Sequence, residues 1–269
     1  MKYKRNEGLN AITKNTPSLV KKGCDGFRSK KMKLKQQNDV RHKNKKVAFT
    51  LAEILITLGI IGVVVALTIP TLLANYKKKA TVAKLKKVYT TLNQAYRLSE
   101  AEYGSSAEWA NDIQEVNTEN VKKYVEKYWL PYLKIIKNCS SSRDCSYPNP
   151  AKTLNNSEGL DIVGNDRYTL ILPDGIMLAI VPFDWDGKNH VINGRQSFYV
   201  DLNGAKAPNV IGKDVFVFTL NLVNNRIDAF CQQGNLSGIN QNCSYSGPGH
   251  CCAAKIIRDG WEIKNDYPW

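Results

Sequence analysis

The sequence predicts an α+β fold: a long N-terminal helical spine, transmembrane in its first half and amphipathic in its second, packed against a small antiparallel β-sheet head. Three observations carry that expectation. Ile54 to Asn75 is apolar apart from a few threonines and the terminal Asn75, and about 20 such residues cross a bilayer core. Beyond it Val82, Leu85, Val88, Tyr89, Leu92, Ala95 and Tyr96 recur at three and four residues, with Lys84, Lys86, Lys87 and Arg97 between them, the stripe of an amphipathic helix. From Tyr168 onward short β-prone runs alternate with turn residues.

Three segments follow in order: a basic leader (1–48), a transmembrane and spine helix (49–102) and a globular head with a cysteine-rich tail (103–269). Residues 1–44 are polar, basic and aperiodic, which reads as disordered. Met32 offers a second start that would leave a shorter leader. Within the apolar run Pro70 removes a backbone donor and is expected to kink or break the helix. In the head, Asn117 to Leu133 reads as a second helix, and Ser140 to Asp144 with Pro148 and Pro150 as loop. Tyr168–Leu172 and Ile176–Val181 read as strands joined by a tight turn at Pro173-Asp174-Gly175. Ser197–Leu202 and Val215–Leu222 make about four strands in all, and the tail from Phe230 to Trp269 reads as loop.

Charge is divided unevenly. Of 38 Lys+Arg and 24 Asp+Glu, residues 1–48 hold 15 and 3, a net of +12; the rest holds 38−15 = 23 and 24−3 = 21, a net of +2. Basicity therefore belongs to the leader, and no nucleic-acid partner is expected of a body so close to neutral. No nucleophile elbow, P-loop or HExxH pattern is present, so neither an enzyme nor a cofactor is indicated.

Cysteine usage divides at the same place. Cys24 is alone in the leader, whereas Cys139, Cys145, Cys231, Cys243, Cys251 and Cys252 all follow the apolar run. An even number beyond a membrane span suits disulfides in an oxidising compartment better than reduced cytosolic thiols. Six cysteines allow 15 connectivities. Cys139 with Cys145 is the simplest local pair, and adjacent Cys251 and Cys252 are expected to bond elsewhere, to Cys231 and Cys243. A zinc site of Cys243, His250 and Cys251 matches no common ligand spacing, and metal is not expected there.

One carboxylate, Glu53, stands at the mouth of the apolar run. A carboxylate deep in hydrocarbon costs roughly 2.5–3.5 kcal/mol on insertion scales, so such a residue usually marks function. The string from Lys45-Lys46-Val47-Ala48-Phe49-Thr50-Leu51-Ala52-Glu53 through Pro70 resembles the prepilin-type cleavage and methylation segment of type IV pilins and type II secretion pseudopilins. The resemblance covers about residues 43–75. It implies that prepilin peptidase cuts between Ala48 and Phe49 and methylates the Phe49 amine; Ala48 stands where the family normally has Gly, a sterically mild departure. The new amine has an unperturbed pKa of about 7.7–8. Glu53 then becomes the assembly contact that neutralises it, in the same or a neighbouring subunit, and Pro70 the family's recurrent proline.

The implied protein is a structural subunit of a type IV pilus or secretion pseudopilus. It would sit single-pass in the inner membrane with its head on the periplasmic or extracellular side, partnered by membrane lipid, an assembly platform and other pilin or pseudopilin subunits. Local positive-inside counting does not settle the orientation; the leader's total charge and the distal cysteines place the head outside. The alternatives are a minor tip subunit that binds a surface, substrate or DNA, and an uncleaved single-pass anchor for an exported domain. The segment from Val200 to Asp214 resembles a loop of pseudopilin-like heads. There Asp201, Asn203, Asn209 and Asp214 supply hard oxygens of the kind Ca²⁺ takes, without the EF-hand pattern. The preferred reading is an Asn203-Gly204 hairpin turn with Asp214 capping backbone amides. Asp259 to Trp269 also resembles tails of that family.

Overall fold

The computed structural model describes residues 49–140, 145–147, 150–164, 166–185, 190–191, 195–222 and 224–269. The leader with Cys24, Met32 and Ala48, and most of the expected loop at 141–144 with Pro148, lie outside the described residues. The chain divides into Met1–Glu53 and Ile54–Trp269. Of the first unit the structure describes Phe49 to Glu53, with Phe49 and Leu51 about three-quarters exposed.

Helix α1 runs Leu51–Tyr103. Its apolar part, Ile54 to Ala74, measures about 31 Å at 1.5 Å per residue, the thickness of a bilayer core. Large apolar side chains are exposed all round it, from Ile54 and Leu58 to Leu67 and Leu72. It is long and apolar enough to cross a membrane. Leaving its 14 Leu, Ile and Val side chains (Leu51 to Leu73) in water forgoes about 20–40 kcal/mol of burial, more than a domain's whole stability of about 5–15 kcal/mol. Pro70 does not break the helix, contrary to expectation. It removes a single donor, and in the turn before it the hydroxyls of Thr68 and Thr71 donate to the Val64 and Thr68 carbonyls.

The character of α1 changes at Leu85. Leu85, Val88, Leu92, Ala95, Tyr96 and Ser99 are buried, with Val82 and Tyr89 half-buried against them, so the three-and-four stripe faces a core. The helix stops at Gly104, whose φ of 78° lets its N–H reach the Glu100 carbonyl at 2.9 Å. A short α2 (Ser106–Trp109) and then α3 (Thr118–Tyr128) follow, the latter capped by Asn117 Oδ1 accepting from the Asn120 amide at 2.9 Å. α3 is shorter than the expected 117–133: a 3₁₀ turn at Leu130–Tyr132 replaces its end, because Pro131 offers no donor to continue it.

Among the described residues the strands are β1 (Lys137–Ser140), β2 (Ala151–Lys152), β3 (Glu158–Leu160), β4 (Tyr168–Ile171), β5 (Met177–Val181), β6 (Asp184–Trp185), β7 (His190–Val191), β8 (Ser197–Asp201), β9 (Val215–Asn221) and β10 (Arg226–Ala229). β2–β3 and β6–β7 form two-stranded ribbons, and the main antiparallel sheet has the order β1-β4-β5-β8-β9-β10. The four expected strands are its centre. β1 and β10 extend it to six, so Ser140, expected in a loop, ends an edge strand.

Side chains divide by the period of two. Leu170, Leu178, Ile180, Phe198, Val200, Phe216 and Phe218 face the α1 stripe, while Met177, Ala179 and Val215 join Cys139, Ile162 and Ile211 in a second core on the other face. Polar contacts fix the register of α1. Asn93 treats the β10 edge as a neighbouring strand would: its Nδ2 donates to the Ile227 carbonyl at 2.9 Å and its Oδ1 accepts from the Ile227 amide at 3.0 Å. Lys84 Nζ donates to the Leu202 carbonyl at 2.9 Å, and Lys87 pairs with Asp174.

Leu92→Ala should lower the unfolding free energy by about 2–5 kcal/mol, the cost of a core cavity. Leu67→Ala on the exposed half should leave head stability unchanged; denaturant titration of the detergent-solubilised chain followed by tryptophan emission reads both.

Candidate functional site

At the N-terminus the structure adds a contact to the sequence reading. Thr50 N–H and Thr50 Oγ1 both donate to Glu53 Oε2 at 2.8 Å, and Glu53 N–H donates back to Thr50 Oγ1 at 3.2 Å. Thr50 thus caps the first turn and Glu53 answers from the third helical position, a capping box. The Thr50-x-x-Glu53 spacing is the sequence signal for this cap. The arrangement holds the Glu53 carboxylate at the helix start, one turn past Phe49.

The head's second feature is the loop from Leu202 to Asp214. β8 and β9 pair with Asp201 opposite Val215, so the expected two-residue Asn203-Gly204 hairpin is not formed. Instead Asn203 N–H donates to Asp201 Oδ1 at 3.0 Å and Gly204 takes a φ of 68°, opening a longer loop. Asp214 caps that loop as expected, accepting from the Asn209 and Val210 amides at 2.9 and 2.7 Å. Tyr147 OH donates to Asp201 Oδ2 at 2.8 Å. The Asn209 amide, oriented with its nitrogen inward, donates to Asp201 Oδ2 at 3.2 Å and to the Lys206 carbonyl at 2.9 Å.

All four proposed calcium ligands therefore lie in one loop base, with the oxygens of Asp201 and Asp214 engaged by the protein itself. Burial pushes the Asp201 carboxyl up to about 7, the charge of nearby Asp214 adding to it and the Tyr147 and Asn203 donors opposing it. Burial raises Asp214 as well. Among the described residues no three His, Cys, Asp or Glu side chains are grouped to hold a metal ion.

The tail from Phe230 is not a plain loop. It contains α4 (Leu236–Asn242) and α5 (Cys252–Arg258). Seven-residue helices are marginal alone; here cystines and one buried lysine hold them. Cys231 bonds Cys251, Cys243 bonds Cys252, and Cys139 bonds Cys145. Lys255 is 4% exposed and reaches Asp266 Oδ2 at 2.6 Å, Asn240 Oδ1 at 3.1 Å and Asp259 Oδ2 at 3.4 Å. Burial pulls its ammonium down, but the two carboxylates outweigh this and hold it above its ordinary value. Gly212, at φ 88°, lies against this cluster; a Cβ there would sit 2.8 Å from the Cys252 sulfur, so no larger residue fits. Tyr267, buried, donates to the Gly212 carbonyl. The tail thus closes over the loop that carries Asp214.

The raised Asp201 gives a pH dependence. A carboxyl whose folded pKa lies near 7 instead of 3.8 contributes stability that is complete below about pH 4 and lost as pH rises through 7. Head stability should therefore fall by a few kcal/mol between pH 4 and 7. Asp201→Asn should flatten that slope in denaturant titrations at stepped pH, while a slope unchanged by the substitution would assign it to other groups.

Residues 71–269, nearly three quarters of the chain, match a family described as Family of unknown function (DUF6613). The match takes in the second half of α1 and the whole head. No curated protein and no solved structure matches the chain. The chain belongs to the family of unknown function DUF6613.

Proposed function

We propose that this chain is a prepilin-like filament subunit of a type IV pilus or type II secretion pseudopilus. In this reading it is inserted in the inner membrane with its head outside, cut between Ala48 and Phe49 by prepilin peptidase, methylated at Phe49 and assembled through α1. The observation that carries the reading is the join of two halves in one helix. The membrane-length, all-round apolar stretch Ile54–Ala74 runs without interruption into the stripe that forms the head's core. A helix of this kind keeps its lower half available first to lipid and then to the same half of other subunits, and in both places the apolar surface leaves water.

The terminal charges fit the same scheme. Thr50 satisfies Glu53 within the isolated chain. In a filament, the Phe49 amine of a neighbour offers a stronger, charge-assisted partner for the same carboxylate. The cystine-tied tail supports an oxidising destination for the head.

Glu53→Ala should leave membrane insertion intact, because removing a charge only eases entry into hydrocarbon, yet reduce sheared filament yield at least about tenfold. Glu53→Gln separates charge from capping, since an amide oxygen still accepts from Thr50. Both variants should fail alike if the partner is an amine; normal filaments from either would remove Glu53 from assembly.

A further inference from the structure

The apolar run of α1 ends at Asn75, and a basic band begins at once. Lys77, Lys78, Lys79, Lys84, Lys86 and Lys87 occur before any carboxylate; between Glu53 and Glu100 there is none. Two clefts flank α1 at this level. One, of about 500 Å³, is lined by Asn75, Lys78, Lys79, Lys86, Trp261 and Ile263, with Glu262 at its wall. The other, of about 460 Å³, is lined by Tyr76, Lys77, Lys84, Lys213 and Trp269, with Asp214 beside them. Each thus combines three lysines and one tryptophan with one acidic side chain, and that of Asp214 is already occupied by two backbone amides. Trp261 is held against Tyr89 with ring centres 5.4 Å apart and carries Lys86 over its face.

We propose that this collar is a docking surface for the anionic phospholipid headgroups of the bilayer that holds α1. The depth is right. Lys77 to Lys79 lie about 4–8 Å along the helix from Ala74, and a headgroup layer extends about 5–7 Å beyond the hydrocarbon. Helical side chains lean toward the helix N-terminus, here toward the bilayer, so these ammonium groups descend to the level of the phosphates. Lys87 is engaged by Asp174 and Lys84 by the Leu202 carbonyl. Lys77, Lys78 and Lys79 have no ion-pair partner among the described residues, and each lysine at an anionic surface favours binding. Trp261 and Trp269 supply amphipathic rings of the kind that settle at a membrane boundary. The consequence is a head seated on the membrane surface by charge, and released from it when the collar is neutralised.

The inference rests on the membrane-spanning part of the proposed function and not on filament assembly. The full chain reconstituted into nanodiscs of equimolar phosphatidylglycerol and phosphatidylcholine, then released for native mass spectrometry, should retain phosphatidylglycerol at least about threefold over the bulk ratio. Lys77→Gln/Lys78→Gln/Lys79→Gln should lower the enrichment, the remainder belonging to the basic leader, while entering nanodiscs in the same yield. Lys122→Gln/Lys123→Gln, remote on α3, should keep it. Retention at the bulk ratio by the unaltered chain, or enrichment undiminished in the triple variant, overturns the docking surface alone. A chain that never enters the nanodiscs overturns the membrane reading with it.

Discussion

Everything in this molecule hangs on a single helix placed in two surroundings. Below Asn75, α1 is apolar on every side, and among the described residues nothing covers it. Above Leu85 only a stripe is apolar, and that stripe meets the faces of Phe198, Phe216 and Phe218. The change is dictated by composition: six lysines enter the helix just where the apolar run ends, and each removes one side of the cylinder from any apolar neighbour. A sheet laid on the remaining stripe is the simplest cover, and Asn93 then turns the helix itself into a partner for the sheet's last edge. An exposed strand edge invites pairing with other chains; here the spine closes it.

The tail solves a different problem. Its two helices are too short to persist alone, yet it must cover the end of the sheet and the loop from Leu202 to Asp214. Cystines constrain its unfolded state, and Lys255 gathers α4, α5 and Asp266 around one satisfied charge. Both devices add to the core contacts of Ile239, Ala253, Ala254 and Ile256. They also explain why Gly212 and Tyr267, far apart in sequence, meet under Cys252.

Much of this was legible in the residues. The apolar run, the three-and-four stripe and the central strands follow from periodicity, because burial imposes the period directly. What was not legible depended on neighbours. β1 and β10 are four-residue edges whose existence is fixed by the strands beside them, and α4 and α5 by the cystines. The Asn203-Gly204 pair has the composition of a hairpin turn, but Asp201 and Asp214 bind backbone amides across a longer loop. Pro70 suggests a kink or break; a missing donor inside a long hydrogen-bonded helix is a local loss, and the helix continues. At the site itself, the Glu53 position was read from its isolation in an apolar run, while its capping role needed only the Thr50 spacing and was missed.

In the proposed function α1 begins the mature protein and carries it from membrane to filament. Intact-mass and fragment-ion analysis of the chain purified from membranes tests it most directly. The expected result is a mature species starting at Phe49 with one methyl group on its amine, and three cystines in the same molecule. A membrane-bound chain that keeps residues 1–48 joined to Phe49 would contradict it.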